Sequence, residues 1–207
     1  MKSQMKFQKI LALVTLIIAA LATILALFFC SGVLYAITLH NGTAVYDQTY
    51  DVQELYEYSQ NANNVMVIMA IVLILVSALM FLMGNNSRRN YYISNVVATF
   101  IYVAYALAFA IALIVICATC FSLMNTVDFE GWLAAEEEKK EILGADAITD
   151  YSRDVTTLIL GIIMSVVVIG SAVAWILNLL WKLKLMKGEK QLLENGGVAS
   201  TSDLEVA

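Results

Sequence analysis

The chain has 207 residues and a net charge of −5, and 61% of its residues are hydrophobic. Soluble domains are only about half apolar, so this composition excludes an ordinary soluble domain and indicates that much of the surface faces lipid. Nothing in the charge pattern points to nucleic-acid binding.

Four apolar runs dominate the chain, at 10–39, 65–83, 93–124 and 155–181, and none of them contains Asp, Glu, Lys or Arg. A run of ~20 apolar residues is enough to cross a bilayer as a helix. Helices satisfy their own backbone hydrogen bonds in lipid, and the alternating pattern of a membrane barrel is absent. The sequence therefore predicts an all-α, integral membrane four-helix (tetraspan) antiparallel bundle with helical extensions in its two extracytoplasmic loops.

The apolar runs and the links between them divide the chain into alternating membrane and aqueous segments. The link between the second and third spans is so short that these spans must be antiparallel neighbours. The first run is too long for the apolar region of a signal peptide, so it is interpreted as the first span. The tail is predicted to be partly disordered. The predicted segments are a cytoplasmic N-terminus (1–9), TM1 (10–39), outer loop 1 (40–64), TM2 (65–84), a cytoplasmic turn (85–90), TM3 (91–124), an acidic, helical outer loop 2 (125–154), TM4 (155–181) and a cytoplasmic tail (182–207).

Charge predicts the orientation. Nine of the twelve Lys and Arg residues lie in the N-terminal segment, the 85–90 turn and the tail, whereas thirteen of the seventeen Asp and Glu residues lie in the two longer loops. Lys and Arg are retained on the cytoplasmic side of membranes. We therefore expect a multi-pass protein of the cell membrane with both termini in the cytoplasm.

Small side chains predict where the helices touch. On the first span they recur at alternating intervals of four and three, which is the 3.5-residue repeat of a left-handed helix contact. Small residues at such a seam let two backbones approach closely, although alanine is also simply common in apolar helices. The predicted contact residues of spans one, two and four are Ala19, Ala22, Ala26, Ala70, Ser77, Gly161, Ser165, Gly170 and Ala174.

The third span is predicted to be the central helix, because it carries two faces suited to packing. One face repeats at intervals of three and four and should look into the bundle, where its tyrosine hydroxyls need partners. We predict that Tyr102 is buried and that this span touches more of the other spans than any other. The inward face is Asn95, Ala98, Tyr102, Tyr105, Phe109, Ala112 and Ile116, and the second face is Ala104, Ala108 and Ala118.

Asn178 lies near the predicted inner end of the fourth span, at a depth similar to that of Asn95. Two interpretations remain open. The two amides could bond to each other, which would contribute about 1 kcal/mol or less in a membrane, or each could reach water at the interface.

The cysteines suggest redox chemistry. Cys117 and Cys120 form a C-x-x-C in the outer part of the third span, with Cys30 of the first span at a similar depth. This topology resembles four-span enzymes that make disulfides with a quinone, and the vitamin K epoxide reductases, and the resemblance implies thiol–disulfide exchange. Those enzymes relay electrons through a second, loop-borne cysteine pair, and both loops here lack cysteine. The pair also lies far from the helix N-terminus that would activate a thiol, so packing as small apolar side chains is favoured.

The remaining motifs narrow the function further. The spans lack the ionisable groups and broken helices of coupled transporters, and with one histidine and no nucleotide-binding motif no cofactor or metal is predicted. We expect a non-enzymatic scaffold or accessory subunit that acts through helix packing and its acidic loops. Its partners would be the lipid bilayer and another membrane protein or a second copy. The alternative is a homo-oligomeric channel lined by Tyr102, Tyr105 and Asn95, and the minor alternative is a membrane thiol–disulfide oxidoreductase.

Overall fold

The computed structural model describes residues 2–35, 52–85, 92–128, 134 and 155–194. Within these ranges the chain forms four long helices and no strand: α1 (Lys2–Tyr35), α2 (Val52–Asn85), α3 (Tyr92–Thr126) and α4 (Thr156–Glu194). Each helix contains a segment of at least 31 residues that is long and apolar enough to cross a membrane. The predicted all-α, four-helix membrane bundle is therefore confirmed.

Three helices extend well beyond the predicted spans. α1 begins at Lys2, and α4 continues through the predicted tail to Glu194. Hydropathy marks only the part of a helix that lies in lipid, whereas Lys, Gln, Leu, Met and Glu favour helix in any surroundings. α2 begins at Val52, where the sequence predicted a helical extension of the first outer loop.

Several predicted features lie outside the described residues. They are the first outer loop up to residue 51, the 85–90 turn beyond Asn85, nearly all of the helix expected in 125–154, and the tail beyond Glu194.

The exterior of the helices is apolar. Phe28, Ile68, Phe100 and Val166, one on each helix, are all more than 60% exposed. Contiguous exposure of large apolar side chains is rare in soluble monomers and is what a hydrocarbon environment accommodates. Together with the four candidate spans, this surface defines a multi-pass membrane protein.

The buried side chains repeat at intervals of three and four along each helix, as left-handed helix packing requires. Along α2, for example, the buried series is Leu55, Ser59, Ala62, Met66, Ala70, Leu73, Ser77, Met80 and Gly84.

Contacts divide the chain into two compact units, and every helix contributes to both. The terminal unit comprises Met1–Leu21, Ile71–Ala110 and Val166–Ala207. The loop unit comprises Ala22–Ala70 and Ile111–Ser165. The terminal unit contains the buried amide and lysine side chains, and the loop unit contains the three cysteines.

Candidate functional site

Two aromatic side chains fill the interior of the terminal unit. Tyr102 and Trp175 are 1% and 2% exposed, and their rings pack edge to face with centroids 6.3 Å apart. The Trp175 indole N–H donates to Thr15 Oγ1 at 2.9 Å, and the Thr15 hydroxyl donates in turn to the Leu11 carbonyl at 2.8 Å. α1 and α4 are thus joined by a hydrogen bond in the interior of the terminal unit.

A second polar contact joins α3 to α4. The Tyr102 hydroxyl lies within hydrogen-bond distance of Ser171 Oγ, and Ser171 Oγ donates to the Val168 carbonyl at 2.7 Å. A serine hydroxyl has one hydrogen to donate, so Tyr102 must be the donor to Ser171. Both polar aromatic groups are therefore satisfied without water, as buried Tyr and Trp usually are.

Further toward the chain termini lies a group of buried polar residues that we call the amide–lysine cluster, consisting of Gln4, Gln8, Asn95, Asn178 and Lys182. All five are buried. The Gln4 amide N–H₂ donates to Asn178 Oδ1 at 2.9 Å and to Gln8 Oε1 at 3.1 Å. A neighbouring ring contact between Phe7 and Trp181, with centroids 5.9 Å apart, also joins α1 and α4.

Three polar atoms of this cluster have no hydrogen-bond partner among the described residues: Gln4 Oε1, Asn95 Nδ2 and Lys182 Nζ. Lys182 is 2% exposed, so its ammonium group is enclosed. Burying a charge is costly unless it is paired. Apart from the Ser77 hydroxyl, the fully buried side-chain donors without a partner among the described residues lie in this cluster, which also contains the buried lysine.

The register of α3 against α4 places these atoms at one end of the terminal unit. Tyr102 meets Ser171, and the two helices are antiparallel. Moving two turns along each helix therefore brings Asn95 level with Asn178. Lys182 follows Asn178 by four residues and so lies on the same helix face, one turn further on.

An apolar groove of about 290 Å³ runs between α3 and α4 in the same unit. Its volume is close to the lower limit of small-molecule sites, which begin at ~300 Å³. Phe100 and Leu180, on its two sides, are exposed to the surroundings of the bundle. The lining residues are Val96, Thr99, Phe100, Val103, Ile176, Leu179, Leu180 and Leu183.

The predicted alternatives for Asn178 are both replaced by a different arrangement. Asn178 neither bonds to Asn95 nor reaches water, because it is buried and accepts from Gln4 of α1. Asn95 is also buried, and its backbone carbonyl accepts from Thr99 Oγ1 at 2.8 Å. The amide contact between helices exists, but its partner lies in a segment that sequence analysis assigned to the cytoplasm.

In the loop unit, Gly161 marks a close approach of α4 to α3. A Cβ at this position would collide with Cys117 Sγ and would lie 3.6 Å from Leu113 and 3.9 Å from Phe29. Ser165, four residues along, is buried and donates to the Gly161 carbonyl at 2.9 Å. The first small-xxx-small pair of α4 is therefore a packing site within this chain.

The three cysteines are free thiols. Cys117 and Cys120 are 1% and 0% exposed, and Cys30 is half-buried with its Sγ 3.9 Å from Ser59 Oγ. Among the described residues, no group of three or more His, Cys, Asp or Glu is placed to hold a metal ion. The two thiols of the C-x-x-C occupy interior packing positions and offer no open access to a substrate.

The residues predicted to mediate helix packing differ in how deeply they are buried. Tyr105, Ala112 and Ala174 are half-buried, and Ala108 and Gly170 are exposed. The buried group is Ala19, Ala22, Ala26, Ala70, Ser77, Asn95, Ala98, Tyr102, Phe109, Gly161, Ser165 and Asn178.

On α3 the inward face is shifted from the prediction. Ala106 and Leu113 are buried where Tyr105 and Ala112 were expected. Steps of three and four can follow each other in either order along a 3.5-residue repeat, and local spacing does not distinguish the two. The most apolar window of α3 is 39% buried, more than that of any other candidate span.

Three members of the amide–lysine cluster were not predicted from the sequence: Gln4, Gln8 and Lys182. A signal for them was present. The repeat of Thr15, Ala19, Ala22 and Ala26, continued toward the N-terminus, reaches Gln8 and Gln4. The series Ser171, Trp175 and Asn178, continued along α4, reaches Lys182. Polarity and charge led these positions to be assigned to water.

Comparison with protein-family models, with characterised proteins and with solved structures finds no match to this chain. The architecture itself is that of an α-helical membrane protein with four candidate spans, in which aromatic and amide side chains are buried.

Proposed function

We propose that this protein is a non-enzymatic scaffold or accessory subunit of the cell membrane, which binds another membrane protein through the exposed small-residue face of α4. The proposal rests on the open space beside Gly170. Gly170 belongs to a small-xxx-small pair with Ala174, yet among the described residues no atom beyond its own stretch of helix lies within 4 Å of where its Cβ would be.

The contrast with the other pair of α4 gives this observation its weight. Side chains of α1 and α3 fill the space that a Cβ at Gly161 would enter, whereas the corresponding space at Gly170 is open. In membranes, helix association depends on close packing of small residues rather than on the hydrophobic effect. A small-xxx-small pair whose glycine is exposed therefore offers a further helix a close contact, which a bulky side chain at that position would prevent.

α3 carries a second open surface of the same kind. Ala104 and Ala108 are four residues apart and both exposed. They offer a partner helix the same close approach as the α4 pair.

The proposed orientation places both termini in the cytoplasm and the acidic loops outside. Its support is the concentration of Lys and Arg in the N-terminal segment, the 85–90 turn and the tail. A partner would then meet an acidic surface on the outer side and helix faces within the bilayer.

The test compares Gly170→Leu with Ala20→Leu. Both substitutions add a leucine to an exposed position in the terminal unit, but Ala20 lies on α1, outside the proposed surface. Tagged wild type and both variants would be purified from native membranes in mild detergent, and co-purifying membrane proteins would be quantified by mass spectrometry. We expect Gly170→Leu to lose at least one partner that wild type and Ala20→Leu retain.

Equal retention by all three proteins would contradict the α4 surface. Size analysis of the purified protein, followed by conductance measurements in liposomes, separates the channel alternative. Reproducible conductance by a homo-oligomer would overturn the scaffold proposal. Of the residues predicted to line such a pore, Tyr102 and Asn95 are buried inside one chain and Tyr105 is half-buried.

A further inference from the structure

We propose that the terminal unit contains a binding site for an anionic phospholipid, in which the acyl chain occupies the α3–α4 groove and Lys182 and Asn95 bind the headgroup. The proposal stands on the coincidence of two features at one end of the unit: the amide–lysine cluster and the apolar groove. It is independent of the scaffold role proposed above.

The cluster requires a ligand rich in acceptors. The two fully buried donors without a partner among the described residues are the Lys182 ammonium and the Asn95 amide, which carry three and two hydrogens respectively. The fully buried acceptor of the cluster without such a partner is Gln4 Oε1. When protonated, Lys182 places a full positive charge in a site where its side chain is 2% exposed. An oxygen-rich anion would satisfy both donors and neutralise the charge.

Most of the terminal unit contains no carboxylate that could serve this purpose. The segments 1–21, 71–110 and 166–188 contain no Asp or Glu, and the nearest acidic residue along α4 is Glu189. Glu189 follows Lys182 by seven residues, which is about two helical turns or ~10 Å along the axis. The charge of Lys182 therefore has to be balanced from outside these segments.

The groove provides the apolar half of the site. Val96 of α3 and Leu183 of α4 line it, and they directly follow Asn95 and Lys182 in the chain. Because α3 and α4 are antiparallel, these two residues lie at the same end of the groove. Thr99 connects the two features, since it lines the groove and donates to the backbone carbonyl of Asn95.

The occupant that matches both halves is an amphiphile of the bilayer itself. A phosphate headgroup supplies acceptor oxygens and negative charge, and its acyl chain fits a groove that opens toward hydrocarbon. Basic pockets between transmembrane helices are a known setting for anionic headgroups. A zwitterionic lipid offers the same chain but no net charge, so the site should select by headgroup.

The test is native mass spectrometry of the full-length protein in detergent, titrated with phosphatidylglycerol and phosphatidylcholine of identical acyl chains. We expect wild type to prefer phosphatidylglycerol by about fivefold or more, the effect of one lysine close to an anionic lipid surface. Lys182→Met should reduce this preference to near unity. Removing an unpaired buried charge should not prevent folding.

Lys184→Met is the matched control, because Lys184 is an exposed lysine on the same helix. It should retain the preference. Equal loss in both variants would show attraction by general surface charge and would overturn the site, as would equal binding of the two lipids by wild type.

The groove is tested separately with Val103→Phe, which fills it, against Ile101→Phe, which adds the same ring at an exposed position outside it. We expect Val103→Phe to weaken the binding of both lipids and Ile101→Phe to leave the binding of both unchanged. Thermal stabilisation by inorganic phosphate as large as that by phosphatidylglycerol would show that a free anion suffices and would overturn the lipid assignment.

Discussion

Trp175 and Tyr102 are the two largest side chains that are fully enclosed in the described bundle, and their polar groups depend on hydroxyl partners of unequal importance. Thr15 is the acceptor for the Trp175 N–H. Ser171 accepts from Tyr102 but also has its own bond to the Val168 carbonyl. Removing one partner of a buried pair costs most when it leaves the other polar group unsatisfied.

We therefore expect Thr15→Val to destabilise the protein more than Tyr102→Phe does. Thr15→Val conserves shape but leaves the buried indole N–H without an acceptor, which costs about 1–3 kcal/mol. Tyr102→Phe removes one interhelical hydrogen bond and leaves Ser171 bonded, so a cost of about 0.6 kcal/mol is expected. Equilibrium unfolding in detergent measures both. Equal costs, or the reverse order, would contradict the donor assignment.

At the scale of the helix, α4 carries two glycines in similar motifs with opposite surroundings. Gly161 contacts Cys117 closely, whereas the space around Gly170 is open. A side chain forced into a packed interface costs about 1–3 kcal/mol. Replacing glycine by alanine in an open part of a helix stabilises it by up to about 1 kcal/mol.

We predict that Gly161→Ala destabilises the bundle and that Gly170→Ala does not. Cys117→Ala removes the sulfur that a Cβ at Gly161 would meet. The double variant Gly161→Ala/Cys117→Ala should therefore be more stable than the sum of the two single changes predicts, and a double-mutant cycle measures this coupling. Strict additivity would mean that the two residues are not in contact.

At the scale of the whole molecule, the separation of charge is the main evidence for orientation. The N-terminal segment, the 85–90 turn and the tail are basic, and the two longer loops are acidic. Insertion retains Lys and Arg near the ends of spans on the cytoplasmic side. The basic ends of the first and fourth helices would then lie at the anionic inner leaflet, where the proposed lipid site would find its ligand.

A phosphatase reporter that is active only outside the cytoplasm tests this orientation. We expect no activity from fusions at the N- or C-terminus and strong activity from a fusion after Asp128, in the second acidic loop. A cytoplasmic fluorescent reporter should give the complementary result. Phosphatase activity at either terminus would overturn the orientation and, with it, the placement of the lipid site at the inner leaflet.

The number of spans, their helical nature and the seam of α1 could be read from the sequence. Length and hydropathy determine whether a segment crosses a bilayer, and each backbone group in lipid must bond within its own helix. Thr15, Ala19, Ala22, Ala26 and Phe29, spaced by three and four, are buried because this periodicity is a property of one helix alone.

The pairing of faces was decided only by the tertiary structure. Gly161 and Gly170 have the same local pattern, yet only Gly161 meets another helix within the chain. By chemistry alone, several amides of the chain could bond to Asn178. The axial position of α1 places Gln4 against it. Lys182 reads as a tail residue from its charge, but the continuation of α4 and its rotation turn that side chain inward. Rotation and axial register belong to pairs of helices, and no single segment of sequence contains them.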